Sequence, residues 1–248
     1  MKVDGVDQMA ERSLILASTS RVHGTGYLDH LEAHLEQLFA GVDRLLFVPY
    51  AMHDLDGYTG QVRQRFAALG IAVDGIHQAA DRASAVERAS AIFIGGGNTF
   101  RLLDRLLREE LIEPIRRRVA AGMPYLGASA GSNVAGLTIR TTNDMPIVQP
   151  ASFAALGLVE FQINPHYIDP DPSSTHMGET RDTRLREFHE ENDSPVVALR
   201  EGALLSIEGE RISLQGDPGG KLFRRDVEPR SLAAGDRVDL LVPSSSSP

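Results

Sequence analysis

Short, continuously apolar segments alternate with helical patterns through the first half of the chain, and this alternation constrains the fold more than any other feature. A strand that is apolar at every position is buried on both faces, as in a parallel sheet covered by helices. Strands of this kind are predicted at residues 13–17, 45–48, 71–76, 91–94 and 125–126. The pattern predicts an α/β fold with a mostly parallel sheet flanked by helices.

Helical patterns occupy the stretches between these strands. Asp81 is expected to cap the start of a short helix, Gly70 to end the helix before it, and Pro114 to break a long helix. Helices are predicted at residues 28–39, 61–69, 82–89, 100–119 and from 130 onwards.

The pattern changes after Pro195. Short apolar segments follow at close spacing, and Glu208-Gly209-Glu210 is typical of a turn between two of them. Close spacing and a glycine turn favour antiparallel hairpins, which we expect to complete the domain at its C-terminal end. The segments are residues 196–199, 204–207, 211–214 and 221–223.

The length of 248 residues suits one α/β domain, which is predicted to span residues 13–242. The polar residues 1–12 are predicted to form a flexible leader, and the serine-rich residues 243–248 a disordered tail. No internal repeat and no linker rich in proline and glycine divides the body of the chain.

The composition excludes several classes of function. The net charge of −9 argues against a nucleic-acid partner and means that an anionic substrate would need a specific local cation. The absence of cysteine excludes disulfides, thiolate metal sites and cysteine nucleophiles. Without a signal peptide or an apolar run of ~20 residues, a cytoplasmic protein with no membrane partner is expected.

A serine stands between small residues where a predicted strand meets a predicted helix, in Gly127-Ala128-Ser129-Ala130-Gly131. Glycines in a G-x-S-x-G turn allow a tight bend that exposes the hydroxyl, and the N–H of the next residue then points at a developing oxyanion. The motif makes Ser129 a candidate nucleophile and Ala130 a candidate oxyanion donor. A serine that only caps the helix would satisfy the same pattern.

A second glycine turn, Gly95-Gly96-Gly97-Asn98-Thr99, also follows a predicted strand. Consecutive glycines let the backbone approach a ligand and present free N–H groups. The turn lacks the lysine of a P-loop and the spacing of a dinucleotide motif, so a second oxyanion donor at Gly97 fits better than a nucleotide site. A phosphate-binding turn or a plain loop stays open.

His166 lies beside Pro165, just after the apolar run at residues 158–161, and is expected at the end of a strand, which makes it the candidate general base. His30 and His34 lie one turn apart on a predicted helix, but Glu32 between them is one position off the H-E-x-x-H spacing. No metal site and no cofactor are therefore expected. His189 is expected on the surface.

Taken together, these residues resemble peptidase E, the aspartyl dipeptidase family. The resemblance covers about residues 14–223 and is carried in order by GGGNTF (95–100), GASAGSN (127–133), IRTTNDMPI (139–147), QINPH (162–166) and GETR (178–181). It implies a serine dipeptidase for substrates with an N-terminal aspartate, on a fold like that of class I glutamine amidotransferases. Small peptides are the implied partner, for a monomer or homodimer.

The resemblance also implies roles for individual residues. Ser129 matches the nucleophile and His166 the general base. Asp144 matches an acid that the family requires for function, and Glu201 matches the glutamate proposed to hold the histidine, so the third member stays open. Physical reasoning favours Glu201 as the carboxylate that orients the histidine, because it follows a predicted strand. Asp144 would then bind the amino group of the substrate or brace the turn.

Substrate binding is implied for Arg181 and Asn98. A guanidinium at Arg181 suits a substrate carboxylate and meets the need for a local cation, although Arg184 and Arg186 are nearby and a solvated helix face remains an alternative.

The chain departs from the family at Ala128, where a bulky tryptophan is common, and this predicts extra space beside the serine. Two other functions stay open. One is a hydrolase resembling cyanophycinase, acting on β-linked aspartyl-arginine. The other is a non-catalytic, amidotransferase-like binding domain, in which Ser129 and His166 would lie out of reach of each other.

Overall fold

The computed structural model describes residues 12–171, 173, 175 and 178–242. The predicted tail at residues 243–248 and all of the predicted leader except Arg12 lie outside the described residues. Within the described part, no helix combines the length and apolarity needed to cross a membrane.

A seven-stranded sheet forms the centre of the fold and confirms the predicted α/β class. Its strands are β1 (Ser13–Ala17), β2 (Arg44–Val48), β3 (Ala72–Gly75), β4 (Ile92–Ile94), β5 (Tyr125–Ala128), β8 (Leu204–Glu208) and β9 (Arg211–Gln215). They are ordered β3-β2-β4-β5-β1-β8-β9. The first five strands of that order run parallel, and β8 and β9 are antiparallel additions at the edge next to β1.

Helices cover both faces of this sheet. They are α1 (Glu32–Leu38), α2 (Leu55–Ala67), α3 (Arg82–Arg88), α4 (Thr99–Arg108), α5 (Ile112–Ala120) and α6 (Ala130–Asn133). Because successive residues of a strand point to opposite faces, Leu14 and Leu16 of β1 join one apolar core cluster while Ile15 and Ala17 join another. Burial on both faces explains why these strands are apolar throughout.

Two helix boundaries differ from the sequence prediction. The long helix predicted at residues 100–119 is interrupted at Glu110, whose φ of 53° is incompatible with a continuing helix, and not at Pro114. Pro114 lies in the first turn of α5, where backbone N–H groups make no hydrogen bond within the helix. Proline, which has no N–H, is therefore tolerated there. The helix before Gly70 begins earlier than predicted because Asp54 caps it, accepting a hydrogen bond from the N–H of Gly57. The predicted Asp81 cap of α3 is confirmed.

A second sheet of four strands lies beside the first and shares a core cluster with it. Its strands are β6 (Gln162–Tyr167), β7 (Val196–Arg200), β10 (Gly220–Arg224) and β11 (Val227–Leu232), ordered β11-β10-β7-β6. β6 and β7 are parallel, and the other pairs are antiparallel. Helix α7 (Arg181–Glu191) packs on one face, where Leu185 meets Tyr167 and Phe223 in a small core.

The C-terminal hairpins are thus divided between two sheets. The hairpin through Gly209 joins β8 to β9 and extends the main sheet, as predicted. The segments at β7 and β10 belong instead to the second sheet. That division depends on contacts with α7 and β6, which are distant in sequence, so the local pattern contains no signal for it. β11 escaped prediction because its residues are mostly exposed.

Candidate active site

Ser129 occupies a sharp turn between β5 and α6. Its backbone has φ 54° and ψ −111°, a strained conformation for a residue with a side chain, and its N–H donates to the carbonyl of Ala17 at 3.0 Å. The hydroxyl of Ser132 lies 2.7 Å from that same carbonyl and 2.9 Å from that of Gly127, which ties α6 to the ends of β1 and β5. The surrounding hydrogen bonds therefore hold the strained turn.

The glycines on either side of Ser129 are required by close backbone contacts. A Cβ at Gly131 would lie 1.9 Å from the carbonyl oxygen of Ile94 in β4, and one at Gly127 would lie 2.6 Å from the carbonyl of Gly131. Both distances are too short for non-bonded atoms. The G-x-S-x-G pattern is thus explained by the packing of α6 against the sheet.

His166 comes from the second sheet and meets the serine. Its Nε2 lies 2.8 Å from Ser129 Oγ, within hydrogen-bond range. His166 also has a positive φ of 54°, at the point where the pairing of β6 with β7 shifts register. Its N–H donates to Ser18 Oγ at 2.9 Å, and that hydroxyl donates to the carbonyl of Leu199 at 2.9 Å. Ser18, which the sequence did not single out, therefore links the end of β1 to both strands beside the histidine.

The structure separates the two candidate carboxylates. Glu201 Oε1 lies 2.9 Å from His166 Nδ1, whereas Asp144 makes its hydrogen bonds elsewhere. Side-chain exposure is 36% for His166 and 58% for Glu201, so both remain open to solvent. Ser129, His166 and Glu201 form a continuous hydrogen-bonded series of the kind that activates a serine hydroxyl.

Two backbone N–H groups beside Ser129 have no partner. Neither Gly97 N nor Ala130 N donates to any described residue. Gly97 has a φ of 134°, and a Cβ there would lie 2.6 Å from the carbonyl of Ala51. Gly96 is the closer neighbour of the serine, since a Cβ on it would lie 3.0 Å from Ser129 Cβ. The glycine turn thus passes directly against Ser129, and the close approach expected of consecutive glycines is made at Gly96.

Asp144 lies at the start of α4. Its Oδ2 accepts hydrogen bonds from the N–H of Thr99 at 2.7 Å and from Thr99 Oγ1 at 2.6 Å, and Thr142 Oγ1 lies 3.2 Å away. A carboxylate at a helix N-terminus is favoured by the helix dipole. The Asp144 carboxylate is therefore bound directly to Thr99, the last residue of the glycine turn.

Arg181, the first residue of α7, supplies a positive charge near Asp144. Its guanidinium is half-buried and makes no ion pair or hydrogen bond with a described residue. Burial lowers the pKa of Arg181 from its usual value, Arg184 acts in the same direction, and the charge of Asp144 opposes both. Arginine stays protonated despite such shifts, so an unpaired cation is available to a ligand.

The side chain of Asn98 is engaged in structural contacts. Its Oδ1 accepts from the N–H of Arg101 and caps α4, and its Nδ2 donates to the carbonyl of Met145 at 2.9 Å. These contacts join the glycine turn to the segment that carries Asp144. Asn98 is thus placed to position its neighbours.

A family model for peptidase family S51 matches residues 14–215. The chain belongs to peptidase family S51. Among its curated relatives, it is 53% identical to peptidase E of Streptomyces coelicolor, over 93% of this chain and 95% of that protein. It is 51% identical to a probable alpha-aspartyl dipeptidase of Drosophila melanogaster, over 90% of this chain and 94% of the other.

Solved structures resemble this S51 peptidase in fold. A putative peptidase E from Listeria monocytogenes superposes with a TM-score of 0.64 at 22% identity, covering 84% of this chain and 99% of that one. A peptidase from an acI-B1 actinobacterium gives a TM-score of 0.67 at 18% identity, covering 92% and 97%. These likenesses confirm the α/β fold.

Ala128 in this S51 peptidase does not open extra space at the serine. It is completely buried and belongs to the same core cluster as Ala17 and Leu28. The expectation of a larger cavity beside Ser129 was therefore wrong, because the Ala128 side chain points into a packed core.

His189 was also mispredicted, since it is buried on α7 at 6% exposure. No group of three potential metal ligands occurs among the described residues.

Proposed function

We propose that this S51 peptidase hydrolyses dipeptides with an N-terminal aspartate through an acyl-enzyme on Ser129. The observation that carries the proposal is the hydrogen-bonded series from Ser129 Oγ through His166 to Glu201. The names of the relatives, peptidase E and alpha-aspartyl dipeptidase, supply the substrate class.

In the first step, His166 Nε2 takes the proton of Ser129 as the hydroxyl oxygen attacks the scissile carbonyl carbon. The N–H groups of Gly97 and Ala130 donate hydrogen bonds to the carbonyl oxygen as its negative charge develops, each worth about 3 kcal/mol in the transition state. Glu201 accepts a hydrogen bond from His166 Nδ1 and stabilises the imidazolium. These donors are already free, so no internal hydrogen bond has to break.

In the second step, the imidazolium gives its proton to the leaving amine, and the C–N bond breaks. The aspartyl group remains as an ester on Ser129. Water then attacks this ester with His166 as the general base, and collapse of the second tetrahedral intermediate returns the proton to Ser129. The products are free aspartate and the second amino acid.

Recognition of an N-terminal aspartyl residue requires both a cation and an anion, because that residue carries a β-carboxylate and an α-ammonium group. Arg181 is a cation without a hydrogen-bond or ion-pair partner among the described residues, and Asp144 is an anion close enough to act on its pKa. We assign the β-carboxylate to Arg181 and the α-ammonium group to Asp144. Arg181 also provides the local cation that a chain of net charge −9 needs for an anionic substrate.

The first test concerns the chemistry at Ser129. Ser129→Ala should lower kcat for an aspartyl dipeptide by at least about 10⁴-fold and abolish labelling by a fluorophosphonate. Ser90→Ala is the matched control, since Ser90 is exposed and lies before β4, at the opposite edge of the sheet from Ser129. Retained turnover in folded Ser129→Ala would refute the acyl-enzyme. Failure of the wild-type protein to react with the fluorophosphonate would favour the non-catalytic binding domain.

The second test concerns the substrate. The wild-type protein should cleave Asp-Leu much faster than its neutral isostere Asn-Leu, and should not cleave Leu-Asp. Arg181→Met should remove most of the preference for Asp-Leu over Asn-Leu, because the guanidinium is the assigned carboxylate ligand. Faster cleavage of β-aspartyl-arginine than of Asp-Leu would instead support the cyanophycinase-like alternative.

A further inference from the structure

Five polar side chains form a connected ionic cluster on the α7 side of the second sheet. The hydroxyl of Tyr167 donates to Asp182 Oδ1 in a very short hydrogen bond and accepts one from Lys221 Nζ at 2.7 Å. Lys221 Nζ also lies 3.1 Å from Asp169 and 3.4 Å from Asp182. Arg200 contacts both carboxylate oxygens of Asp169, at 2.6 and 3.0 Å. We refer to these residues as the α7 anchor.

The anchor is balanced in charge and largely buried. Two carboxylates face two cations, and side-chain exposure is 11% for Asp182, 17% for Lys221 and 24% for Arg200. The hydrogen bond from Arg200, aided by Lys221, lowers the pKa of Asp169 to about 2, although burial acts in the opposite direction. Charge-assisted hydrogen bonds of this kind are short and strong, so the anchor is a persistent contact between the strands and the helix.

Three anchor residues are immediate chain neighbours of residues in the candidate active site. Tyr167 follows His166 in β6, Arg200 precedes Glu201 at the end of β7, and Asp182 follows Arg181 at the start of α7. Tyr167 lies on the face of the second sheet that α7 covers, and its hydrogen bonds with Asp182 and Lys221 place the anchor on that face.

Arg181 depends on the anchor most, because its guanidinium has no hydrogen-bond or ion-pair partner in the part of the chain that the structure describes. His166 and Glu201 hydrogen-bond to each other, and His166 also contacts Ser129 and Ser18. The guanidinium of Arg181 has no such partner among the described residues. Its location follows from the first turn of α7, and the buried Asp182 ties that turn to Tyr167 and Lys221.

We propose that Tyr167 and Lys221 are positioning residues that act through Asp182 to hold Arg181 at the aspartate-binding end of the site. The proposal rests on the proposed function, in which Arg181 binds the β-carboxylate of the substrate. Neither residue touches the reacting atoms. Loosening the anchor should therefore weaken substrate binding and leave the chemistry at Ser129 unchanged.

Tyr167→Phe in the full-length protein tests the inference with a minimal change, since only the hydroxyl is lost. We expect KM for Asp-Leu to rise about tenfold, in the range found for residues that couple to a site without touching the ligand. We expect kcat to change by less than about threefold, because lost ground-state binding appears in KM. The rate of fluorophosphonate labelling at Ser129 should stay at the wild-type value.

Lys221→Met should give the same split between KM and kcat, and Lys221→Arg should restore KM by renewing the contact with Asp182. Arg225→Met is the matched control. Arg225 follows β10 and pairs with Asp193 at 2.8 Å beyond the C-terminal end of α7, so its loss breaks a strand-to-helix contact far from Arg181. This control should keep the wild-type KM.

A double-mutant cycle separates this inference from the proposed function. If the anchor acts through Arg181, adding Tyr167→Phe to Arg181→Met should change KM no further. An unchanged KM in folded Tyr167→Phe would overturn the inference, as would an additive effect in the double variant. A fall in both kcat and labelling rate would also overturn it, since the anchor would then hold His166. Failure of the proposed function is seen independently, as activity in Ser129→Ala or a missing preference for Asp-Leu over Asn-Leu in the wild type.

Discussion

Glu201, the proposed orienting carboxylate, contacts His166 Nδ1 at 2.9 Å from a position that is 58% exposed. In serine hydrolases with a buried third member, that carboxylate is worth much of the catalysis because it acts in a medium of low polarity. Water around Glu201 screens its charge, so its contribution here is expected to lie mainly in holding the imidazole ring in place.

Glu201→Gln tests this weaker role. A buried triad carboxylate contributes about 10⁴-fold to kcat, and we expect a loss on the order of 10²-fold here because solvent competes for the histidine. KM for Asp-Leu should stay within about twofold of the wild type, as the substituted group does not contact substrate. Steady-state kinetics at pH 7 measure both values. A loss as large as that of Ser129→Ala would show that exposure does not weaken the contact.

At the scale of elements, the short helix α6 packs directly against the backbone of the main sheet. α6 contains only four residues, and its Gly131 lies against the backbone of β4. The turn that exposes Ser129 exists because α6 starts immediately after β5 and packs this closely on the sheet. Small residues at the motif positions are thus a packing requirement as well as a catalytic one.

Gly131→Ala should destabilise the protein by more than about 3 kcal/mol, beyond ordinary overpacking, because the added methyl group meets backbone that cannot rotate away. Gly60→Ala is the matched substitution in α2, where a Cβ meets nothing within 4 Å. That change should stabilise the fold by about 0.5–1 kcal/mol through helix propensity. Urea denaturation followed by circular dichroism measures both, and similar small effects of the two variants would contradict the packing argument.

At the scale of the whole molecule, the candidate site forms where the two sheets meet. Ser129 comes from the main sheet, while His166 and Glu201 come from the second. Ser18 connects them, because its hydroxyl bonds to the backbone of both His166 and Leu199. The geometry of the candidate site therefore depends on how the two sheets are docked.

The α7 anchor makes part of the stability dependent on pH. The pKa of Asp169 is about 2 in the folded protein, below its usual value of 3.8. A carboxyl group whose pKa is depressed by folding stabilises the protein fully above about pH 4, and that contribution is lost as the pH falls through about 2. The contribution is modest, because the Asp169 side chain is 45% exposed and solvent screens its charge.

Asp169→Asn should consequently lower the urea midpoint at pH 7, and the difference from the wild type should shrink steadily between pH 4 and pH 2. Asp193→Asn is a suitable comparison, since its side chain is 85% exposed and its pair with Arg225 lies on the surface. That variant should show a smaller difference at every pH. A difference for Asp169→Asn that does not depend on pH would contradict the ionic origin of its effect.

The local sequence determined the strands, most helices and the serine turn, because each depends on patterns within a few residues. Continuous apolar runs specify strands buried on two faces, and glycines around Ser129 specify a tight turn. The break in the helix was predicted at Pro114 and lies at Glu110 instead, because the backbone of Glu110 adopts a positive φ.

Only the tertiary structure decided which carboxylate meets His166, where Ala128 points and how the C-terminal strands are divided between two sheets. Each of these depends on residues that are far apart in the chain, such as His166 with Glu201 or Tyr167 with Lys221. A sequence motif shows which side chains lie near one turn, but not how far they are from groups elsewhere in the chain. The distance between groups on separate sheets is set by how those sheets pack, and that packing energy is spread over the entire core.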